Sequence, residues 1–117
     1  MSDSCLFCNQ VNLEIISENE LCFAVRDINP VTKLHTLIIS KEHFPTVFEV
    51  PDEVLLSLLD LAKECRLDIE KIDPTVKGFN FGANCGSIAG QKIDHIHFHL
   101  IPRRECDVSP PPAFHEA

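Results

Sequence analysis

The chain reads His95-Ile96-His97-Phe98-His99-Leu100-Ile101 near its C-terminal end, so that histidine alternates with apolar residues. Because successive strand side chains point to opposite faces, the pattern predicts a β-strand whose imidazoles share one face. Neighbours on that face lie roughly 6.6 Å apart, so the three rings cannot all hold one ion at about 2 Å, although two could. A row of imidazoles is better suited to proton and phosphate chemistry.

Four more β-prone runs and one helical pattern lie upstream of this strand. Pro51, followed by Asp52 and Glu53, begins a long helix that ends before Asp73-Pro74. No helical segment separates the first three strands, which favours an antiparallel sheet. The apolar positions of the helix cover more than a narrow stripe, which fits either a well-buried amphipathic helix or a homodimer surface. The predicted strands are residues 13–17, 21–26, 34–40, 78–83 and 95–101.

Length and composition predict a single domain over residues 1–108, followed by a Pro-rich tail at 109–117. The chain has 117 residues, 44% of them hydrophobic, and a formal net charge of -8. Such a charge argues against nucleic-acid or membrane phosphate as the partner, so an anionic ligand must be small and locally held.

Residues 1–5 show no secretory pattern and the chain has no apolar run of membrane-spanning length, which predicts a cytoplasmic protein. In a reducing compartment the six cysteines are expected to be free thiols or metal ligands and to form no structural disulfide.

Several motifs accompany the histidine row in a fixed order. They are Cys5-Leu6-Phe7-Cys8, Asp27-Ile28-Asn29-Pro30, the run from Leu34 to His43, and the run from Asn84 to Arg103. Together they resemble the histidine triad family of nucleotidyl hydrolases and transferases. The resemblance implies an α+β fold with a five-stranded antiparallel sheet, one long helix and a short N-terminal helix. It also implies a homodimer in which the two sheets are continuous.

The resemblance implies a role for each histidine of the site. His97 would attack the α-phosphorus of a nucleotide and form a nucleotidyl-histidine that water then cleaves. His99 would contact the α-phosphate and assist proton transfer, while His35 and His95 would orient the reacting imidazole.

The same resemblance implies the residues that bind substrate. Asp27 would accept hydrogen bonds from the ribose hydroxyls, Phe7 and Ile28 would form a slot for the base, and Gln91 and Asn84 would lie near the phosphate. Taken singly, each has an ordinary structural role, such as a turn at Asp27 or a core position at Phe7. The functional interpretation therefore depends on their joint order.

The residues after the triad favour one branch of the family. Ile101-Pro102-Arg103-Arg104 resembles the dinucleoside polyphosphate hydrolases, whereas the phosphoramidases typically carry a glycine pair there and a serine where this chain has Lys92. Arg103, Arg104 and Lys92 would then supply charge for an extended polyphosphate, unless the two arginines are solvated surface residues. A phosphoramidase, a nucleotide-binding regulatory dimer with little turnover, and a metal-binding protein that uses His-x-His stay open as alternatives.

Cys5-x-x-Cys8 is a weak signal by itself. Some bacterial members of the family combine such a motif with two histidines to hold structural zinc, and the matching positions here are His43 and His95. Two thiolates and two imidazoles would make a closed tetrahedral site, with inert thiols as the alternative. No organic cofactor is expected.

Overall fold

A computed structural model describes residues 5–10, 13–105 and 107. The chain forms one five-stranded antiparallel sheet in the order β1-β2-β3-β5-β4, which confirms the predicted α+β fold. The last strand of the chain, β5, lies between β3 and β4, so the order in the sheet departs from the order along the chain at this point. The strands are β1 Ile15–Glu18, β2 Cys22–Arg26, β3 Thr36–Ser40, β4 Gly78–Gly82 and β5 His97–Arg103.

The long helix α1 spans Asp52–Ile72, and Pro51, expected in its first turn, is the N-cap residue immediately before it. It packs mainly on β2 and β3 and covers one face of the sheet. Its buried side chains recur every three or four residues, which is the spacing that one helix face presents to a core. They are Val54, Leu58, Leu61, Ala62, Cys65 and Ile69. No helix of the described ranges combines the length and the apolar character needed to cross a bilayer.

The two faces of the sheet have separate cores. The helix side contains Ala24, Ile38 and Leu100 together with the buried face of α1. On the opposite side Phe7 packs with alternate residues of β2 and β3. This second core lies beside the histidines of β5, because His97 and His99 pair with Ile39 and Leu37 across the ladder. The members of the second core are Phe7, Phe23, Val25, Leu37 and Ile39.

Two short 3-10 helices occur in the connections that flank the site. Val47–Glu49 follows a capping box in which the Thr46 side chain accepts from backbone N–H of Phe48 and Glu49 accepts from the Thr46 N–H. Ser87–Ala89 lies between two glycines with positive φ, Gly86 at 93° and Gly90 at 100°. Glycine adopts this conformation without the Cβ clash that other residues incur.

The structure moves the start of the histidine strand. β5 begins at His97, and His95 lies in a bend whose backbone N–H donates to the Ile93 carbonyl. Two of the three imidazoles therefore share the strand face, and the third is directed elsewhere. Of the implied short N-terminal helix, residues 6–8 form a turn, and residues 11 and 12 lie outside the described residues. The predicted Pro-rich tail, 109–117, lies outside them as well.

Candidate active site

The face of β5 opposite α1 carries His97 and His99. Both rings are buried, and their centroids lie 5.1 Å apart. The ring of Phe7 packs edge-on against His97 at 5.1 Å, so the N-terminal segment covers one side of the nucleophile predicted from the sequence. The alternation of β5 thus presents two imidazoles at the surface of the second core.

A single hydrogen bond fixes the tautomer of His97. Its Nδ1 lies 2.8 Å from the backbone carbonyl of His95. A carbonyl only accepts, so Nδ1 carries the proton and the lone pair of the neutral ring is on Nε2. Burial lowers the pKa of His97, an effect that the contact with the His95 carbonyl and the charge of Asp27 partly oppose. The ring therefore presents an unprotonated nitrogen, which is the form a nucleophile requires.

His99 has the opposite tautomer because of a chain of contacts through His35. The Val31 backbone N–H donates to Nδ1 of His35 at 3.1 Å, which leaves the proton of the neutral His35 ring on Nε2. That nitrogen lies 3.0 Å from Nδ1 of His99 and donates to it. The remaining proton of the neutral His99 ring is then on Nε2. The two strand histidines thus offer a lone pair and an N–H, respectively.

Burial keeps the rings of His35 and His99 neutral. The pKa of His99 is lowered to about 3 by burial and by the nearby His97, His35 and Lys92. Burial also lowers the pKa of His35, against the raising effect of the Asp27 carboxylate. Neutral rings are what the donor and acceptor assignments above require.

A turn with an unusual backbone brings His35 to this position. Leu34 adopts φ 73°, a left-handed conformation that costs a non-glycine residue roughly 1–2 kcal/mol. The His35 N–H closes the turn on the Thr32 carbonyl at 3.1 Å. Leu34 therefore immediately precedes His35, whose ring sets the tautomer of His99. Strained backbone is often found beside functional residues.

A cavity of about 650 Å³ opens in front of the histidines. Asp27 lines it, and its Oδ1 accepts from the Asn29 N–H at 2.9 Å, so this carboxylate has both the predicted turn role and access to the cavity. Much of the remaining wall is apolar, as a base slot requires. Among the lining residues are Leu6, Phe7, Leu13, Val25, Asp27, Ile28, Leu37, Ile93, His97 and His99.

Ile28 and Phe7 contribute to that wall in different ways. The side chain of Ile28 is 87% exposed, so it forms the rim, whereas Phe7 is 2% exposed and forms part of the floor. The structure thus places both residues at the cavity that contains His97, as the base slot implied by the resemblance requires.

Three predicted substrate residues do not line this cavity. The Gln91 side chain is occupied by the backbone: Oε1 accepts from Gly86 N–H at 2.7 Å, and Nε2 donates to the carbonyls of Pro45 and Ile93 at 2.7 and 3.0 Å. Arg103 donates to Asn80 Oδ1 at 2.7 Å. Asn84 is half-buried in the strand-to-loop connection. Their contacts with substrate stay predictions.

The cations of the cavity wall are Lys92 and Arg26. Arg104, the second arginine after the triad, instead pairs with Asp73 at 2.9 Å. From the sequence, Lys92 is a departure from the phosphoramidase pattern and one of the charges expected for a polyphosphate, whereas Arg26 has no predicted role. The alternation of side chains within β2 is the signal for Arg26, and the position next to Gln91 is the signal for Lys92. Neither signal indicates that the two side chains face the same cavity.

A second cluster lies behind the histidine strand. His95 Nδ1 is 3.4 Å from the Cys5 sulfur and 3.6 Å from the Cys8 sulfur, and His43 Nδ1 is 3.1 Å from the Cys8 sulfur. Zinc bonds of about 2.3 Å to sulfur and 2.0–2.1 Å to nitrogen place tetrahedral ligands about 3.6 Å apart. The separations are thus close to those of a tetrahedral zinc site.

The tautomer of His95 suits a metal ligand. Its Nε2 lies 2.8 Å from the Ser40 carbonyl, so this nitrogen carries the proton and the Nδ1 lone pair faces the two sulfur atoms. A backbone acceptor on the far nitrogen is the usual support of a metal-binding histidine. With both ring nitrogens engaged, His95 has no free nitrogen for acid–base chemistry, and it orients His97 through its carbonyl.

Asp27, His35 and His99 are also close enough together to share an ion. The Nδ1 of His35, however, accepts from Val31, so its Nε2 would have to lose a proton before it could bind a metal. This group is therefore better explained as a hydrogen-bond chain.

One family model and several named relatives match most of this chain. The profile of the family described as "HIT domain" matches residues 9–106. An adenosine 5'-monophosphoramidase of Candida albicans is 37% identical over 110 residues, which cover 87% of this chain and 72% of that protein. An adenylylsulfatase of Arabidopsis thaliana is 34% identical over 111 residues, which cover 92% of this chain and 56% of that protein.

Solved structures are similar over nearly the whole chain. A HIT family protein from Bacillus anthracis gives a TM-score of 0.84 at 30% identity, covering 99% of this chain and 86% of that one. A Zn-bound histidine triad family protein from Mycobacterium smegmatis gives a TM-score of 0.82 at 29% identity, covering 97% of this chain and 86% of that one.

Proposed function

This chain belongs to the HIT family and is a nucleotide hydrolase, and on that premise we propose that it releases AMP from phosphoramidate conjugates. The observation that carries the proposal is the pair of complementary tautomers at one cavity. His97 offers an Nε2 lone pair, and His99 offers an Nε2–H. One nitrogen can attack phosphorus while the other protonates the group that leaves.

In the first step of the proposed reaction, His97 Nε2 forms a bond to the α-phosphorus and the P–N bond breaks. The leaving nitrogen takes its electron pair and accepts the proton from His99 Nε2, so that it departs as an amine. His99, with Nε2 now unprotonated, then takes a proton from water as the water attacks phosphorus. Cleavage of the P–His97 bond releases AMP and restores both tautomers.

The positions of Phe7, Ile28 and Asp27 support a nucleoside as the bound portion. The apolar wall that contains the first two offers a slot for the base, and the carboxylate offers two acceptors to the ribose diol. Adenine is proposed as the base because the matching relatives include an adenosine 5'-monophosphoramidase and an adenylylsulfatase.

The branch assignment differs from the one that residues 101–104 suggested. Relatives named as a monophosphoramidase and an adenylylsulfatase favour AMP conjugates over dinucleoside polyphosphates. Neither Arg103 nor Arg104 lines the cavity, and Arg104 pairs with Asp73, which supports this choice. The phosphoramidase alternative thus replaces the polyphosphate hydrolase as the leading proposal.

Product analysis tests the proposal. Adenosine 5'-phosphoramidate, adenylyl sulfate and diadenosine tetraphosphate would be offered separately to wild type, to His97→Ala and, as a control, to His115→Ala, which changes a histidine of the Pro-rich tail that is outside the triad motif. We expect wild type and His115→Ala to release AMP from the phosphoramidate most efficiently, and His97→Ala to lose at least about a thousandfold in kcat. AMP release that survives in His97→Ala, or preferential cleavage of the tetraphosphate, would contradict the proposal.

Zinc is the metal that we propose for Cys5, Cys8, His43 and His95. The near-tetrahedral separations of the donor atoms and the Ser40 contact on the far nitrogen of His95 support it. Bound zinc would supply a structural link between the N-terminal turn and the bend before β5, with no open position for catalysis.

A further inference from the structure

Lys92 lines the active-site cavity together with His97 and His99. We propose that its ammonium group recognises a negative charge on the leaving group, so that the AMP phosphoramidates preferred as substrates are those whose departing amine carries an anion. An amine with a carboxylate belongs to this class. This inference deepens the proposed function and rests on it.

The backbone at Lys92 is held in place while its side chain is free to reach a ligand. The preceding residue, Gln91, is 8% exposed and uses its side-chain amide in three hydrogen bonds to backbone groups. The Lys92 side chain itself is exposed. A fixed backbone that carries an exposed ammonium on a flexible side chain at a cavity wall is suited to a ligand whose charged end varies in shape.

The other charged groups of the cavity are engaged or have the wrong sign. Arg26 donates to the Thr36 hydroxyl at 2.6 Å, and Asp27 accepts from the Asn29 N–H. Glu14 is acidic. The ion pairs found within residues 5–10, 13–105 and 107 do not include Lys92. Among the cavity cations, Lys92 is therefore the one available to an incoming anion.

Lys92 shares the cavity wall with His99, the proposed proton donor to the leaving group. Its charge acts on His99 and contributes to the low pKa of that ring, after burial, His97 and His35. His99 is the proposed donor to the leaving nitrogen, so an ammonium near it is also near the departing group. The nucleoside portion is assigned to the wall that contains Phe7, Asp27 and Ile28, which leaves Lys92 for the leaving group.

A pair of substrates that differ only in charge tests this inference. The AMP phosphoramidate of β-alanine carries a carboxylate, and that of β-alaninamide carries a neutral amide of nearly the same size. We expect wild type to prefer the carboxylate form by about threefold to tenfold in kcat/KM, the range for one partly solvated charge pair. Lys92→Gln should bring the ratio close to one, and Lys92→Arg should keep it.

Added salt should reduce the wild-type preference, since the ammonium is exposed. An unchanged ratio in Lys92→Gln would overturn the assignment, because a purely structural lysine would affect both substrates equally.

A binding measurement separates failure of this inference from failure of the proposed function. If wild type releases no AMP from either conjugate, the proposed function is wrong. Calorimetric affinities of the same two conjugates for wild type and Lys92→Gln then test the lysine independently of turnover. Tighter binding of the carboxylate form that disappears in Lys92→Gln supports the inference, and equal affinities in wild type overturn it.

Discussion

At the scale of single residues, the site depends on which nitrogen of each ring carries a proton. The carbonyl of His95 assigns the His97 lone pair to Nε2, and the Val31 N–H, acting through His35, assigns the His99 proton to Nε2. These assignments come from backbone groups, which mutation of neighbouring side chains leaves in place. The chemistry of the site is thus encoded by the local path of the chain as well as by the histidines.

The proton on His99 should matter only when the leaving group needs it. An amine leaves readily only once protonated, whereas sulfate is stable as an anion. We expect His99→Ala to reduce kcat for adenosine 5'-phosphoramidate by about 10²–10⁴-fold and to affect adenylyl sulfate by much less. Steady-state kinetics on the two substrates measure the difference, and an equal loss on both would contradict the role of His99 as proton donor.

Burial of neutral His35 and His99 should make stability depend on pH. Their pKa values in the folded chain lie below 6.5, that of His99 at about 3, whereas in the unfolded chain both titrate near 6.5. Below pH 6.5 the unfolded state therefore binds more protons, and stability falls as pH decreases. The groups that face these rings are Asp27, Arg103, His97 and Lys92.

The expected loss is up to about 1.4 kcal/mol per histidine for each pH unit below 6.5. Urea unfolding of wild type and His99→Asn at pH 7.5, 6.5 and 5.5 measures it, and the variant should show a shallower dependence. Parallel curves for the two proteins would show that His99 does not take up a proton on unfolding.

At the scale of elements, the N-terminal turn and the bend before β5 meet at the cysteine–histidine cluster. Cys5→Ser or Cys8→Ser should abolish zinc binding and lower Tm by at least about 5 °C, because two distant segments lose their link. Cys85→Ser is the matched control, since this half-buried thiol lies outside the cluster. Elemental analysis and thermal denaturation measure both effects. Zinc content that Cys8→Ser leaves unchanged would exclude the proposed ligand set.

The sequence predicted the existence of these elements better than their ends. Alternation identified β5, and the Pro51 and Asp73-Pro74 signals bounded α1. The start of β5 was wrong by two residues because His95 turns toward Cys5 and Cys8, partners about ninety positions away. The period of the hydrophobic pattern along the sequence reflects the local backbone conformation, and it contains no information about such long-range contacts.

The site was predicted in part for the same reason. Residues that share a strand or a motif, such as His97 and His99 or Asp27 and Ile28, do meet at one cavity. The Gln91 amide is able to hydrogen-bond a phosphate, yet in the structure it bonds to the backbone of Gly86 and Ile93 and so stabilises the loop between them. Whether a polar side chain serves the backbone or a ligand is decided by tertiary packing, which spacing along the chain does not reveal.

At the scale of the whole molecule, the sheet ends in two edge strands, β1 and β4. All five residues of β4 are half-buried, and the ring centroids of Phe81 and Phe98 lie 5.0 Å apart in a stacked pair. Because β4 pairs only with β5 among the described strands, this edge combines apolar side chains with unpaired backbone groups. An edge of this kind is suited to pairing with a second strand. We therefore expect a homodimer with a continuous sheet formed through β4.

Light scattering coupled to size exclusion at micromolar concentration measures the assembly. Phe79→Asp on β4 should yield monomers, whereas Ile16→Asp on β1, a side chain 42% exposed, should leave the dimer intact. Circular dichroism would verify that both variants are folded. A monomeric mass for wild type would contradict the expected dimer.

The stereochemistry at phosphorus distinguishes the proposed nucleotidyl-His97 intermediate from direct attack by water, because two successive displacements would invert the α-phosphorus twice. Wild type would hydrolyse an adenosine phosphoramidate made chiral at phosphorus by sulfur substitution, in ¹⁸O-labelled water, and the configuration of the product would be determined. We expect overall retention of configuration. Inversion would show a single direct attack by water and would contradict a nucleotidyl-His97 intermediate.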